Sequence, residues 1–197
     1  MGQSSVVEPS FPIRTERLLL RPFQPEDLDA LLAIYSRPEV AIYLYEEART
    51  PDEVRAMLEK KIANRAIEEE GGALSLAVVL ASTGELVGDV VCQWTSAQHR
   101  QGEVGYVIRP DHQGKGYATE AVAVLLDVLF GTLRLHRVVG RVEARNAPSA
   151  RVLEKLGMRR EAHLVENEWV KDEWQSELVY AILDREWADL RPGHRPP

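Results

Sequence analysis

The chain has 197 residues, 45% of them hydrophobic and 28% charged, and its formal net charge is −7. This length supports one sizeable hydrophobic core, and the composition is that of a folded globular protein rather than a disordered or fibrous one. The negative charge argues against nucleic acid as the main partner, because an acidic surface repels phosphate backbones.

Cysteine content and hydropathy exclude further classes of protein. Cys92 is the single cysteine, which excludes an intrachain disulfide and a metal site made of several thiolates, and we expect it to be a buried apolar residue. The longest apolar stretch, 121–130, contains Asp127 and is much shorter than the ~20 residues that span a membrane. The N-terminus lacks a basic and apolar signal segment, and the histidines show no metal-ligand spacing. We therefore expect a cytoplasmic protein with no metal and no membrane partner.

The first third of the chain predicts a short strand and two helices. The strand covers 17–22, and Pro25 with the acids after it begins a helix that runs to about Ser36. The acids after Pro51 begin a second helix, which we expect to continue through the acidic run 68–70 and to end at Gly71.

The remainder alternates strands and helices. Apolar alternation over 74–80 and 85–91 predicts an antiparallel hairpin, and a third strand follows at 103–108. Further along we expect a helix that follows the segment 114–121, runs to Phe130 and is apolar on nearly all sides. A strand at 136–144, a helix at 148–155, and a closing hairpin of 161–170 and 174–183 come after it. This order predicts an α/β (α+β) fold, with a mixed, mostly antiparallel central sheet and helices on both faces. We expect one domain over 13–187, with flexible ends at 1–12 and 188–197.

The segment Gln-Gly-Lys-Gly-Tyr-Ala at 113–118 lies between a strand and the start of a buried helix. The first N–H groups of a helix lack intrahelical acceptors, and Gly114 and Gly116 allow close backbone approach, so the segment predicts a phosphate or pyrophosphate site. The alternative is a plain turn that caps a core helix. It is not a Walker loop, because Gly116 follows Lys115, and Thr119 replaces the third glycine of a dinucleotide fingerprint.

Three segments, 103–110, 113–121 and 146–158, together resemble the GNAT N-acetyltransferase superfamily. Within it, Thr-Glu-Arg-Leu-Leu-Leu-Arg at 15–21 and the tryptophan-bearing closing hairpin resemble the RimJ/RimL branch of ribosomal-protein N-terminal acetyltransferases. The resemblance covers roughly residues 14–187.

This resemblance implies a GNAT acyl-CoA N-acyltransferase fold whose glycine loop binds the pyrophosphate of acetyl-CoA. It also implies that the preceding strand separates from its neighbour and pairs through its backbone with the pantetheine arm, as an added strand would. The implied cofactor contacts are Tyr106, Val107, Ile108, Gln113, Gly114, Lys115, Gly116, Tyr117, Ala118, Thr119 and Asn146.

Acetyl transfer to an amine requires a neutral amine, a polarised carbonyl and a proton for the departing thiolate. Glu103 is the first candidate for the base and Glu168 is the second. The alternative for Glu103 is a surface carboxylate or an anchor for the substrate ammonium. Ser149 matches the hydroxyl that the RimJ/RimL branch is thought to use as proton donor, against a role in the first turn of a helix. Many GNAT enzymes use a tyrosine there, so the donor stays open. Tyr43, Tyr45 and Trp94 are candidates for the acceptor wall or for the core.

The sequence thus predicts an N-acetyltransferase in which a primary amine attacks acetyl-CoA directly in a ternary complex. The acceptor is either a protein N-terminus or a small molecule. The alternative is a non-catalytic acyl-CoA-binding or sensor module, which the presence of Glu103, Ser149 and Glu168 disfavours. Dimers are common among similar proteins, although the sequence does not determine the oligomeric state.

Overall fold

A computed structural model describes residues 10–191, and within them one sheet of eight strands organises the chain. In chain order the strands are β1 (Ile13–Arg14), β2 (Leu18–Pro22), β3 (Ala73–Leu80), β4 (Leu86–Ser96), β5 (Gln101–Ile108), β6 (Arg137–Glu143), β7 (Arg159–Val170) and β8 (Glu173–Leu183). Their order in the sheet is β1-β2-β3-β4-β5-β6-β8-β7. Every neighbouring pair is antiparallel except β5 and β6, which run parallel.

Helices cover the two faces of this sheet. They are α1 (Leu28–Tyr35), α2 (Pro38–Ala41), α3 (Pro51–Ala63), α4 (Tyr117–Asp127), α5 (Ala147–Lys155) and α6 (Asp184–Leu190). The main core cluster contains the buried face of α4 together with Leu153 of α5 and Trp187 of α6, and a second cluster joins Leu31 of α1 to Val54 of α3. The predicted mixed sheet with helices on both faces is confirmed.

Successive side chains of each strand point alternately to the two faces of the sheet. In β5, Tyr106 packs against the main cluster, whereas the next residue, Val107, packs against the second. Because successive side chains of a strand point to opposite faces, Glu103 shares the face of Val107. None of the helices within residues 10–191 is long and apolar enough to cross a membrane.

The helix predicted to reach Gly71 ends earlier, at Ala63. Asn64 leaves the helical region, and its carbonyl accepts a 2.7 Å hydrogen bond from the N–H of Ser75. The chain then turns Ile67 into the main core, where it is fully buried. Burial of this apolar side chain and pairing of the backbone outweigh the helix propensity of the acidic run, which is exposed outside any helix.

Parts of the two ends that we expected to be flexible are folded. Phe11 packs against the main core before β1, and residues 188–190 belong to α6. That helix is held in place by Trp187, which is buried and donates a 2.9 Å hydrogen bond to Asp127. The rest of the predicted flexible ends, 1–9 and 192–197, lie outside the described residues.

Candidate active site

A gap opens in the sheet between β5 and β6. The two strands pair only over residues 101–104 of β5 and 137–140 of β6, whereas β5 stays paired with β4 as far as Ile108. From Gly105 onward, one edge of β5 therefore has no neighbouring strand among residues 10–191. Backbone groups along such an edge need hydrogen-bonding partners, so an extended ligand can pair there. The predicted separation of this strand from its neighbour is confirmed.

The glycine loop follows directly after this edge. Gly114 and Gly116 have positive φ angles of 74° and 84°, a conformation that glycine adopts at little cost. Within residues 10–191, the backbone N–H groups of 116–119 have no hydrogen-bond acceptor, and α4 begins among them. Four free N–H groups at the positive end of a helix dipole suit an anion, and pyrophosphate fits this donor set.

A cavity of about 280 Å³ joins the loop to the open edge of β5. The first turns of α4 and α5 and the region of α2 form its other walls. Ser149 lines it, and it brings together all the predicted cofactor residues except Lys115, namely Tyr106, Val107, Ile108, Gln113, Gly114, Gly116, Tyr117, Ala118, Thr119 and Asn146.

Two side chains hold the walls of this cavity in place. Gln113 donates a 2.8 Å hydrogen bond from Nε2 to the carbonyl of Ile108, which ties the loop to the end of β5. Asn146 caps α5, because its Oδ1 accepts a 3.1 Å bond from the N–H of Ser149. Lys115 points elsewhere, since its Nζ donates to the carbonyl of Asp111 at 3.1 Å.

Ser149 forms a hydroxyl pair with Tyr106. Its Oγ donates to the phenol oxygen at 2.8 Å, and the phenol donates to the Ser149 carbonyl, also at 2.8 Å. Burial raises the pKa of Tyr106 to about 12, so its hydroxyl keeps its proton at neutral pH. The sequence indicated only a backbone role for Tyr106. A tyrosine next to the glycine in the Gly-Tyr-Val sequence of β5 is the sequence feature that could have indicated this hydroxyl contact.

Glu103 belongs to a different network, on the opposite face of the sheet. Arg141 donates from Nε to Glu103 at 3.3 Å and from Nη1 to Glu177 at 2.7 Å. Tyr45 donates from its hydroxyl to the other oxygen of Glu177 at 2.8 Å. Partial burial raises the pKa of Glu103, and the nearby Arg141 only partly offsets this effect. Sequence reasoning missed Arg141 and Glu177, although a charged residue inside the apolar strand β8 is a usable signal for Glu177.

Glu168 lies at the rim of this network rather than in the cavity. It pairs with Gln175 across the β7–β8 hairpin and is exposed. Burial, the bond to Glu177 and the negative charge of Glu168 together raise the pKa of Tyr45. Lys171, at the tip of the hairpin, donates a hydrogen bond to the carbonyl of Ala41 and so brings the hairpin onto α2.

The remaining predicted residues have mixed outcomes. Tyr43 lines the cavity, whereas Trp94 packs against the main core and donates to the carbonyl of Ser96, which fits the core alternative. Cys92 is fully buried, as expected, and burial raises the pKa of its thiol to about 12. Among the described residues there is no group of three or more His, Cys, Asp and Glu side chains suited to a metal ion.

Comparisons with known proteins identify the family of the chain. A family model described as an acetyltransferase (GNAT) domain matches residues 17–159. The chain is 34% identical to the uncharacterized N-acetyltransferase YnaD of Bacillus subtilis, over 89% of this chain and 98% of that protein. A crystal structure of a GNAT-family acetyltransferase from Bacillus anthracis superposes with a TM-score of 0.79, at 33% identity, over 88% of this chain and 98% of that one.

A further solved structure is that of spermidine N-acetyltransferase from Vibrio cholerae in complex with CoA and spermine. It superposes with a TM-score of 0.74 at 27% identity and covers 88% of this chain and 99% of that one. The open sheet edge and the free N–H groups suit the binding of an acyl thioester. The chain belongs to the GNAT family and is an acetyl-CoA-dependent N-acetyltransferase.

Proposed function

We propose that this enzyme acetylates a cationic small-molecule amine of the polyamine class. The observation that carries the proposal is the arrangement around the gap between β5 and β6. A hydroxyl pair, Ser149 with Tyr106, lies on one face of the sheet, and a carboxylate network around Glu103 and Arg141 lies on the other. A thioester in the gap is therefore open to an amine from one side and to a proton donor from the other.

Acetyl-CoA supplies the activated acetyl group when bound. The free N–H groups of 116–119 bind its pyrophosphate, and the unpaired edge of 106–108 holds its pantetheine arm by backbone hydrogen bonds. Arg151 and Lys155 of α5 also line the cavity and add positive charge for the phosphates. Asn146 keeps α5 in position beside the arm.

Glu103 is the general base in this proposal. Because burial raises the pKa of its carboxyl, Glu103 is a better proton acceptor than an ordinary surface glutamate. It takes the proton from the substrate ammonium directly or through one water. Glu168 at the rim is the alternative base. Arg141 and Tyr45 each donate a hydrogen bond to one carboxylate oxygen of Glu177. Because both of its oxygens are engaged, Glu177 has a structural role in the network and does not transfer protons.

The Ser149–Tyr106 pair is the proton source for the departing thiolate. Ser149 lines the cavity and gives its hydroxyl proton to the sulfur. Tyr106 then turns its own O–H from the Ser149 carbonyl to the serine oxygen and restores the serine proton. Water reprotonates the Tyr106 phenolate, and Glu103 releases to water the proton that it took from the amine. The pKa of Tyr106, raised by burial to about 12, keeps this reserve proton in place at neutral pH.

Charge favours a cationic acceptor. Tyr45 interacts electrostatically with Glu168, Glu177 and Arg141, and Arg141 also binds Glu103. This group contains three carboxylates and one guanidinium, so its local charge is −2. A field of this sign attracts ammonium groups and suits a substrate with more than one of them. The likeness to a spermidine N-acetyltransferase supports the same class. The RimJ/RimL-like residues at 15–21 favour a protein N-terminal amine as the second candidate.

An acceptor panel tests the proposal. Purified enzyme with acetyl-CoA is offered putrescine, spermidine and spermine in one set and short peptides with free α-amines in another, and release of CoA thiol is followed. We expect turnover of polyamines with a kcat/KM at least ten times that of any peptide. Turnover of peptides alone would overturn the polyamine assignment and favour the N-terminal branch. Acetyl-CoA binding without turnover of any amine would favour the non-catalytic sensor.

Glu168→Gln extends this test to the charge of the acceptor site. It should raise KM for spermidine more than for a monoamine, because it removes one negative charge from the rim. Glu166→Gln, two residues away on the same strand, is the matched control and should leave both values unchanged. Equal KM values in all three proteins would remove Glu168 from acceptor binding.

A further inference from the structure

The segment before β2 contacts the glycine loop from outside the cavity. The Arg17 guanidinium donates from Nη1 to the carbonyl of Lys115 at 2.8 Å and lies over the ring of Tyr117, 4.9 Å from its centre. The hydrogen bond to Lys115 joins residues that are 98 positions apart in sequence. The proposed chemistry assigns no role to these contacts of Arg17.

Glu120, in the first turn of α4, fixes this arginine. Its Oε2 accepts from Nε of Arg17 at 2.7 Å and lies 2.6 Å from Nη2. Its Oε1 accepts from the backbone N–H of Arg17 at 3.0 Å and from the hydroxyl of Thr15 at 2.5 Å. Although burial opposes the change, these bonds lower the pKa of Glu120. The guanidinium is therefore held in one orientation by a carboxylate that stays charged.

The contact to Lys115 sets the direction of a peptide group. A trans peptide is planar, with its C=O and N–H on opposite sides. When Arg17 holds the Lys115 carbonyl, the N–H of Gly116 must point away from Arg17. Gly116 lines the cavity, and its N–H is one of the four without an acceptor in the described part of the chain. Arg17 also packs closely behind the loop, because a Cβ built on Gly116 would lie 3.3 Å from Nη2.

We infer that Arg17 is a positioning residue, held by Glu120 and Thr15, that keeps the Lys115–Gly116 peptide oriented with its N–H available to the pyrophosphate of acetyl-CoA. This inference rests on the proposed binding of acetyl-CoA at the loop. Arg17 acts through the loop and not by contact with phosphate, because Glu120 and the Lys115 carbonyl already engage Nε, Nη1 and Nη2.

Binding and kinetic measurements on three variants test the inference. Arg17→Ala frees the peptide to rotate and should weaken acetyl-CoA binding about tenfold in calorimetry, the size of a lost hydrogen bond to a charged group. It should raise KM for acetyl-CoA and leave kcat at saturation unchanged. Glu120→Gln should weaken binding in the same direction. Arg159→Ala is the matched control, since both arginine side chains are 44% exposed and ion-paired, and it should bind like wild type.

Acetylpantetheine, which lacks the pyrophosphate, separates positioning from general damage to the fold. Arg17→Ala should use this donor as well as wild type does, whereas a misfolded variant would lose both donors. Failure of wild type to bind acetyl-CoA would overturn the proposed function itself. If wild type binds and Arg17→Ala binds equally tightly, only the positioning role is overturned. Weakened binding in Arg17→Ala but not in Glu120→Gln would also overturn it, because that pattern indicates direct phosphate contact by Arg17.

Discussion

The hydroxyl of Ser149 on α5 and the phenol of Tyr106 on β5 are hydrogen-bonded to each other, with their oxygens 2.8 Å apart. The two residues are 43 positions apart in sequence, and they meet where β5 loses its neighbour β6. The bond therefore joins the helix that walls the cavity to the strand edge expected to hold the cofactor arm. It also links the proposed proton donor to a second hydroxyl that stays protonated.

Ser149→Ala should separate binding from chemistry. The variant lacks the proton for the thiolate, so kcat should fall about 100-fold, the usual contribution of a positioned acid. Acetyl-CoA affinity should stay within about twofold of wild type, because the N–H groups of 116–119 are unaffected. Thiol release gives kcat, and calorimetry gives Kd. Ser96→Ala, at the far end of β4, controls for loss of a serine hydroxyl, and an unchanged kcat in Ser149→Ala would remove this residue from the mechanism.

Tyr106→Phe should have a smaller effect than Ser149→Ala. It keeps the Ser149 hydroxyl but removes the residue that restores its proton, so kcat should fall about tenfold. The phenyl ring still packs against the main core, so the free energy of unfolding should change by only ~1 kcal/mol. A kcat in Tyr106→Phe equal to that of wild type would show that water reprotonates Ser149.

Gly116→Ala and Gly84→Ala form a matched pair for the loop. Both glycines have positive φ, 84° and 74°, so each substitution should destabilise the fold by about 1–2 kcal/mol through backbone strain. A Cβ at Gly84 meets nothing within 4 Å, whereas Gly116 lines the cavity. Only Gly116→Ala should weaken acetyl-CoA binding, and Gly116→Trp should abolish it. Equal affinities in both alanine variants would show that the loop does not hold the cofactor.

The pH dependence of the rate should identify the base. Glu103 works only when deprotonated, so kcat/KM should fall as the pH drops through its pKa, which burial raises above the ordinary glutamate value. Glu103→Gln should remove this acidic limb and lower the rate. Glu168→Gln should lower the rate but keep the limb. A limb that survives in Glu103→Gln and disappears in Glu168→Gln would assign the base to Glu168 instead.

Patterns that are local in sequence predicted most of the fold and the position of the glycine loop. Strand alternation, proline and acids at helix starts, and glycines at turns located the sheet, α4 and the glycine loop. What they could not supply depends on side chains that meet only after folding. Three hydrogen bonds join segments that are distant in sequence. They are those of Ser149 to Tyr106, of Arg141 to Glu177 and of Arg17 to the carbonyl of Lys115. The early end of α3 has the same origin, because burial of Ile67 in the core overrides a helix-forming sequence.

A buried ion pair beneath α3 should dominate the stability of that side of the sheet. Lys61, with its side chain 11% exposed, donates from Nζ to Asp89 at 3.0 Å, and the hydroxyl of Tyr35 donates to the other carboxylate oxygen at 2.6 Å. Lys61→Met leaves the buried Asp89 charge without its cation and should lower the free energy of unfolding by about 3–5 kcal/mol. Urea denaturation measures the loss.

The double variant Lys61→Met with Asp89→Leu is the companion measurement. It removes both charges, so it should recover a large part of the stability that Lys61→Met loses. A loss under about 1 kcal/mol in the single variant would show that the pair is effectively solvated.

Cys92 should take no part in catalysis. Its thiol is fully buried with a pKa raised to about 12, so iodoacetamide should not modify the folded enzyme at pH 8. Cys92→Ala should keep wild-type kcat, with a modest loss of stability from the smaller side chain. Stoichiometric alkylation of the native enzyme would show that the thiol is accessible, and loss of turnover in a folded Cys92→Ala variant would contradict direct attack.

The most direct test of the central claim is a calorimetric titration of the wild-type protein with acetyl-CoA, repeated on Gly116→Trp. The free N–H groups of 116–119 and the unpaired edge of β5 predict saturable binding of one acetyl-CoA per chain in wild type and none in the variant. Absence of binding in wild type, or equal binding in both proteins, would contradict the assignment of this loop and edge as the acetyl-CoA site.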